Sequence, residues 1–250
     1  QLSFFFFCNM RIIGHRGARG EAPENTLGGF QYISDLGLRA VEFDVRQLKD
    51  NQLIIMHDDN FVRTTNINRS LYECSSEDLV FYDHAMHWAN WQQHEVTPLL
   101  QQSLNLMHHF EHLEVEVKAV SSEAEAEKMV QSLEQHLKGF ENNAIITSFD
   151  SKIHHALQQQ KSCFKRGLLI EEKTDTQVID RALALGCCQI GWMDELATPE
   201  LIKATQHADL KISVWTVNDI QRAKQLRDLG VEGLITDFPK RMQHALNQEK

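Results

Sequence analysis

The chain has 250 residues, 42% hydrophobic and 24% charged, proportions that suit one globular domain and exclude a disordered or membrane-embedded chain. Its formal net charge of −10 argues against a nucleic-acid partner, whose phosphates it would repel. Five cysteines, an odd number without a C-x-x-C pair, exclude a disulfide scaffold or a zinc ribbon and point to a reducing, cytoplasmic setting.

Residues 1–9, with the run Phe4 to Phe7, lack the basic start and cleavage site of a secretory signal and are too short to span a bilayer. They are expected to be an extension without functional role, ahead of one domain over 10–250. The first strand is Arg11–His15, followed by a helix over 26–36. Ala40–Val45 then leads through Asp50-Asn51 into a second apolar run, Gln52–Met56. A parallel crossover needs about a dozen residues, so this short link forms a hairpin, with Asn51 accepting positive φ in the turn. Residues 58–97 are expected as an insertion near the mouth, anchored by Trp88 and Trp91.

Strict alternation then resumes. Strands are predicted at Leu113–Lys118, Ala144–Ser148, Arg166–Ile170, Gln189–Trp192, Lys211–Val217 and Gly233–Asp237. Helices are predicted over 98–109, 121–138, 150–160, 174–185, 198–208, 218–229 and 239–247. Gly37, Gly186 and Gly230 suit left-handed helix ends, and Asp150 and Asn218 suit helix caps. Eight such strands in a chain of this length predict an α/β fold, a (β/α)₈ TIM barrel with a β-hairpin and small insertion between the second and third barrel strands.

Side chains alternate along a strand, so Val41, Phe43 and Val45 share one face while Glu42 and Asp44 share the other. In the third barrel strand Leu113, Val115 and Val117 alternate with Glu114, Glu116 and Lys118. Helices cover the outside of a barrel, so the apolar faces point outward and Glu42, Asp44 and Glu116 converge inside. Partly buried carboxylates repel one another. One divalent cation with oxygen ligands, Mg²⁺ or Ca²⁺ rather than zinc, would compensate them. Pairing with Lys118 and its neighbours is the alternative that these residues leave open.

The first strand ends in Gly14-His15-Arg16-Gly17, where barrel active sites are built, and Arg16 suits bidentate phosphate binding. The hairpin returns His57-Asp58 to the same region. Two histidines flanking a cation and an arginine suit phosphodiester cleavage, one taking a proton from the nucleophile and the other giving one to the leaving alkoxide.

His15-Arg16-Gly17, Pro23-Glu24-Asn25-Thr26, Glu42-Phe43-Asp44-Val45, His57-Asp58 and Arg63-Thr64-Thr65 occur in this order along the chain. Glu114-Val115-Glu116-Val117-Lys118, Trp215-Thr216-Val217-Asn218 and Gly233-Leu234-Ile235-Thr236-Asp237-Phe238-Pro239 complete the set. The ordered set resembles the glycerophosphodiester phosphodiesterase family over nearly the whole chain from Arg11 to Pro239. The resemblance implies a (β/α)₈ barrel that releases glycerol 3-phosphate and an alcohol from a small-molecule glycerophosphodiester. It implies His15 and His57 as the acid/base pair and Glu42, Asp44 and Glu116 as metal ligands. Arg16 and Lys118 become phosphate contacts, Trp215 a wall for the glycerol moiety, and Glu24 the partner that orients Arg16. One departure is Asn51, which stands where the family commonly has Gly; another is the His-rich stretch Asn105 to His112.

Weaker signals receive plainer readings. His84 with His87, and His108 with His112, are spaced to share helix faces and are expected as surface histidines. Trp192 is expected at the rim, and Asp237 as the cap of the last helix. No sustained heptad or large apolar stripe specifies an oligomer, and no stable membrane insertion is expected. A phospholipase D-like enzyme of the lysophospholipase D or sphingomyelinase D type is the competing enzyme reading, and a non-catalytic barrel for phosphorylated ligands the competing binding reading. A metal-free glycosidase would leave His15, Arg16 and His57 without purpose.

Overall fold

The computed structural model describes residues 10–247, so the extension expected over 1–9 lies outside the described residues. Strand β1 (Arg11–His15) is followed by helix α1 (Leu27–Asp35), β2 (Ala40–Gln47) and β3 (Leu53–Ile55). A short helix, α2 (Val62–Thr65), and 3₁₀ turns at Leu71–Glu73 and Ser76–Phe81 lead to α3 (Leu100–Leu106). From β4 (His112–Val117) and α4 (Glu123–His136) the alternation is regular: β5 (Ala144–Ser148), α5 (Ser151–Gln159), β6 (Lys165–Ile170), α6 (Gln177–Ala184) and β7 (Gln189–Met193). The described residues end with α7 (Pro199–His207), β8 (Lys211–Trp215), α8 (Ile220–Asp228), β9 (Gly233–Thr236) and α9 (Pro239–Asn247).

Parallel pairing runs β1-β2-β4-β5-β6-β7-β8-β9 and returns to β1, closing the expected eight-stranded barrel. β3 lies outside this ring, antiparallel to β2 with Val45 opposite Ile55, which is the expected hairpin. Asn51 sits in its turn at φ 65°. The alternation argument holds as well: Val41, Phe43, Val45, Leu113, Val115 and Val117 are fully buried against the helices. Asp150 caps α5 through Lys152 N–H, but α8 is capped by Asp219 and begins one residue later than a cap at Asn218 would give. Asn218 is engaged elsewhere, as described below.

The segment between β3 and α3 has a small core of its own, in which Phe61 stacks on Tyr82 with ring centroids 3.7 Å apart. Trp91 fastens it to the barrel core and donates to Glu95 Oε1 at 2.9 Å, the anchoring expected of it. His84 is a correction. It is buried in a turn rather than exposed on a helix, with Thr64 Oγ1 at 2.8 Å and Thr97 Oγ1 at 2.6 Å on its two ring nitrogens. Trp192 is a second correction: it points outward into the helix layer, wholly buried, and donates to Thr205 Oγ1 at 3.2 Å.

Two buried histidines make the fold sensitive to acid. His154 donates from Nε2 to the Ser148 carbonyl at 3.0 Å, while the Cys187 thiol, pushed up to about 12 by burial, lies 3.7 Å from Nδ1. Burial lowers both His84 and His154 to about 4. Their unfolded forms take up protons below the ordinary value of 6.5 while the folded forms stay neutral, so stability is present at neutral pH and is lost as pH falls towards 4. Each histidine can contribute at most about 3 kcal/mol to this loss. Urea unfolding across that window should show a shallower decline for His84→Gln/His154→Gln than for the natural protein. Parallel declines would show that these residues do not carry the acid sensitivity.

Candidate active site

The register of β2 with β4 sets Glu42 beside Glu114 and Asp44 beside Glu116. Glu42, Asp44 and Glu116 converge as expected, with one carboxylate oxygen of each lying within 4.8 Å of the others, and all three are buried. Lys118 pairs with Asp44 Oδ1 at 2.6 Å and also with Glu116 Oε1. Arg16 Nε lies 3.3 Å from Asp44 Oδ2, and Asn25 Nδ2 donates to the same oxygen at 2.8 Å. The pairing alternative is therefore realised in part, but three carboxylates face two cations. Among the described residues Glu42 accepts only the Arg16 backbone N–H, at 2.9 Å on Oε2, and its buried Oε1 has no hydrogen-bond partner.

Acidity follows the same imbalance. Burial and the charges of Asp44 and Glu116 push the Glu42 carboxyl well above the usual range. Burial and Asp44 push Glu116 up to about 7 against the pull of Lys118. Asp44 goes the other way, because Lys118, Arg16 and His57 together outweigh its burial. A bare acceptor oxygen among oxygen-only donors fits a hard divalent cation.

The loop after β1 is built on glycine. A Cβ on Gly14 would come within 1.9 Å of the Gly17 carbonyl oxygen, so only glycine lets the loop fold back. Arg16 and Gly17 are left-handed, at φ 51° and 85°. His15 Nδ1 meets Asp237 Oδ1 at 2.6 Å, and His57 Nδ1 meets Asp58 Oδ1 at 2.6 Å. Each carboxylate takes the Nδ1–H and leaves Nε2 as the basic nitrogen. Burial lowers His15 despite its hydrogen bond to Asp237, which favours a neutral imidazole able to accept a proton. Glu24 does orient Arg16, at 3.0 Å, and also accepts two N–H groups from Arg63 at 2.8 and 2.6 Å. These contacts overcome its burial and hold it at about 2.

His15, Arg16, Glu42, His57, Glu116, Lys118 and Trp215 all line one cavity of about 200 Å³ at the C-terminal mouth, and Asp44 lies fully buried beside its partners there. Trp215 is fixed by donation to the Gly191 carbonyl at 3.1 Å and meets Phe149 edge to face at 5.5 Å.

Asp237 corrects its reading as a helix cap. Its carboxylate serves His15 and accepts from Asn218 Nδ2 at 2.8 Å. The first N–H groups of α9, from Lys240 and Arg241, donate instead to Glu21 at 3.1 and 3.2 Å. The sequence reading gives Asn218 only the role of a helix cap and Asn25 none beyond its motif, and it passes over Phe149; the amides after Pro23-Glu24 and Trp215-Thr216-Val217 were the available signals. His112, expected at the surface, is half-buried at the opposite end of β4, 3.1 Å from Glu114.

The family model for glycerophosphoryl diester phosphodiesterases matches residues 15–241. The Bacillus subtilis protein YhdW is 30% identical over 242 residues, 92% of this chain and 95% of that protein. A glycerophosphodiester phosphodiesterase of Caldanaerobacter subterraneus is 27% identical, covering 91% of this chain and 94% of the relative. Among solved structures, an Oleispira antarctica phosphodiesterase in complex with the product sn-glycerol-3-phosphate superposes with a TM-score of 0.85. It is 23% identical, with 95% of this chain and 96% of that one covered.

The bare carboxylate predicts a measurable cost. Glu42→Gln keeps an acceptor for the Arg16 N–H and removes the excess charge, a relief of roughly 1–2 kcal/mol. In EDTA near neutral pH its thermal midpoint should rise above that of the natural protein by about 2–8 °C for a chain of this size. An equal or lower midpoint would mean that Glu42 is not held at a cost.

Proposed function

The chain belongs to the glycerophosphoryl diester phosphodiesterase family, and from that premise we propose that it hydrolyses glycerophosphodiesters to glycerol 3-phosphate and an alcohol. The observation that carries the reading is two imidazoles, each held at Nδ1 by a carboxylate, lining one cavity with a buried cluster that has more carboxylates than cations. A barrel that only binds phosphorylated ligands has no need of paired imidazoles.

Glu42, Asp44 and Glu116 are assigned to one divalent cation, Mg²⁺ or Ca²⁺. When bound, it supplies Lewis-acid charge to the non-bridging phosphate oxygens. Arg16 and Lys118 add fixed positive charge beside the same oxygens and stabilise the charge that grows in the transition state. His15 and His57 share the proton transfers at Nε2. One takes a proton from the attacking hydroxyl, and the other protonates the alkoxide as its bond to phosphorus breaks. Asp237 and Asp58 keep each ring in the required tautomer. Trp215, anchored through its indole N–H, is assigned to the glycerol moiety. The attacking hydroxyl is a water molecule or the 2-hydroxyl of the substrate, the second route passing through a cyclic phosphate. Trapping the early products in ¹⁸O-water separates the two, since the internal route alone gives a cyclic species that is unlabelled until water opens it.

Among the described residues no helix is long and apolar enough to cross a membrane. A cytoplasmic location belongs to this reading through the cysteine usage.

Release of glycerol 3-phosphate from glycerophosphocholine and glycerophosphoethanolamine should disappear in EDTA and return with Mg²⁺ or Ca²⁺. Absence of release with every ion would sink the proposed reaction. His15→Ala and His57→Ala should each lose about 10²–10⁴-fold in kcat while remaining folded by circular dichroism. Full activity in both would remove the acid/base assignment.

A further inference from the structure

The cavity is electrostatically lopsided, and the imbalance bears on which alcohol the diester carries. Its cationic lining, Arg16, Arg19 and Lys118, comes from the loop after β1 and the end of β4. In the ring of eight strands β6 stands four strands from β1 in either direction, so the residue that follows β6 stands across the mouth from His15 and Arg16. That residue is Glu171.

Four glutamates line the cavity: Glu42, Glu114, Glu116 and Glu171. Glu42 accepts the Arg16 N–H, Glu116 pairs with Lys118, and Glu114 accepts from Gln189 and Ser213 deeper in the barrel. Glu171 is exposed and makes no hydrogen bond or ion pair among the described residues. Lys173 and Arg181 line the shallow depression beyond it, yet neither pairs with it. Beside it in the cavity are the side chain of Leu169 and the ring of Phe149, which Trp215 braces edge to face. An unpaired carboxylate next to an aromatic ring and an aliphatic wall offers a cation two kinds of attraction, ionic and through the ring face.

We propose that Phe149, Leu169 and Glu171 form a subsite for a cationic alcohol, so that the preferred substrates are glycerophosphodiesters of an amino or quaternary ammonium alcohol. The proposal rests on the hydrolytic reading and names the substrate class of that same site. Phosphate bound at the Arg16 and Lys118 side leaves a short alcohol to extend across the mouth, where a positive head group meets Glu171. The carboxylate also disfavours a phosphorylated or otherwise anionic alcohol, so selectivity arises from repulsion as well as attraction.

The test compares glycerophosphocholine with glycerophosphoglycerol, a neutral-alcohol diester, in the natural protein and in Glu171→Gln. The ratio of their kcat/KM values should fall roughly three- to tenfold in the variant, the scale of one exposed ionic or cation–π contact. Phe149→Leu should lower it in the same direction. The same ratio is also read from dissociation constants measured by calorimetry on His15→Ala with and without Glu171→Gln, which needs no turnover. An unchanged ratio, whether both diesters weaken together or neither does, overturns the subsite. If the natural protein hydrolyses neither diester but the binding ratio still shifts, the subsite stands and the hydrolytic reading falls.

Discussion

Three carboxylates buried side by side at the end of two neighbouring strands are the constraint that the rest of the structure answers. The parallel register of β2 with β4 brings them together, and no rotation of either strand relieves them without turning Val41, Phe43, Val115 and Val117 away from the helix layer. The repulsion is therefore built into the hydrophobic pattern. Lys118 comes from the same strand as Glu116 and Arg16 from the neighbouring loop, so the cations are delivered by the elements that bring the anions. They fall one charge short, and the shortfall collects on Glu42, whose only hydrogen bond among the described residues is from a backbone N–H. A fully neutralised cluster would be a structural ion network. This one retains the capacity to hold a further positive charge.

Barrel closure does the second half of the work. His15 and Asp237 are 222 residues apart and meet because β1 pairs with β9, with Gly14 opposite Thr236. Asn218, just beyond β8, locks the carboxylate by donating to Asp237 Oδ2 and accepting from the Asp237 N–H. A side chain that orients a histidine must itself be held still, and here three adjoining strands hold it. A shift of β9 by one residue would leave the imidazole without its partner and turn the strand's inward face outward.

How much of this was legible in the sequence depended on whether the signal was local. The two-residue alternation of Glu42 and Asp44 against Val41, Phe43 and Val45 stated which way each side chain points, and the short link at Asp50-Asn51 required the hairpin that carries His57 back. Asp237 was misread because Asp two residues before Pro239 is a sound local cap signal, while the requirement it meets lies on β1. The N–H groups of α9 find Glu21 through the same closure, which no window of sequence displays. His84 looked like half of a surface pair because spacing reports only which residues share a turn. Its burial depends on the separate core that folds around Phe61 and Tyr82. Trp192 was placed at the rim from its position in the strand, although its parity with Ile190 already aimed it at the helices.

The segment between β3 and α3 is more than decoration on the barrel, as its ion pairs show. Arg63 holds Asp58 at 2.7 Å and grips both oxygens of Glu24, so the carboxylate that orients His57 and the carboxylate that orients Arg16 share one guanidinium. Asp58 is drawn well below the usual carboxylate range against its burial, chiefly by His57 and Arg63, and Glu24 is similarly depressed. Both therefore stay ionised at neutral pH. The loop after β1 and the return of the hairpin belong to different parts of the chain, and Arg63 bridges them through Glu24 and Asp58. One guanidinium thus links the support of His57 to the support of Arg16. Phe61 is seated in the small core and lies two residues before Arg63, so that core anchors the short helix from which Arg63 makes these pairs.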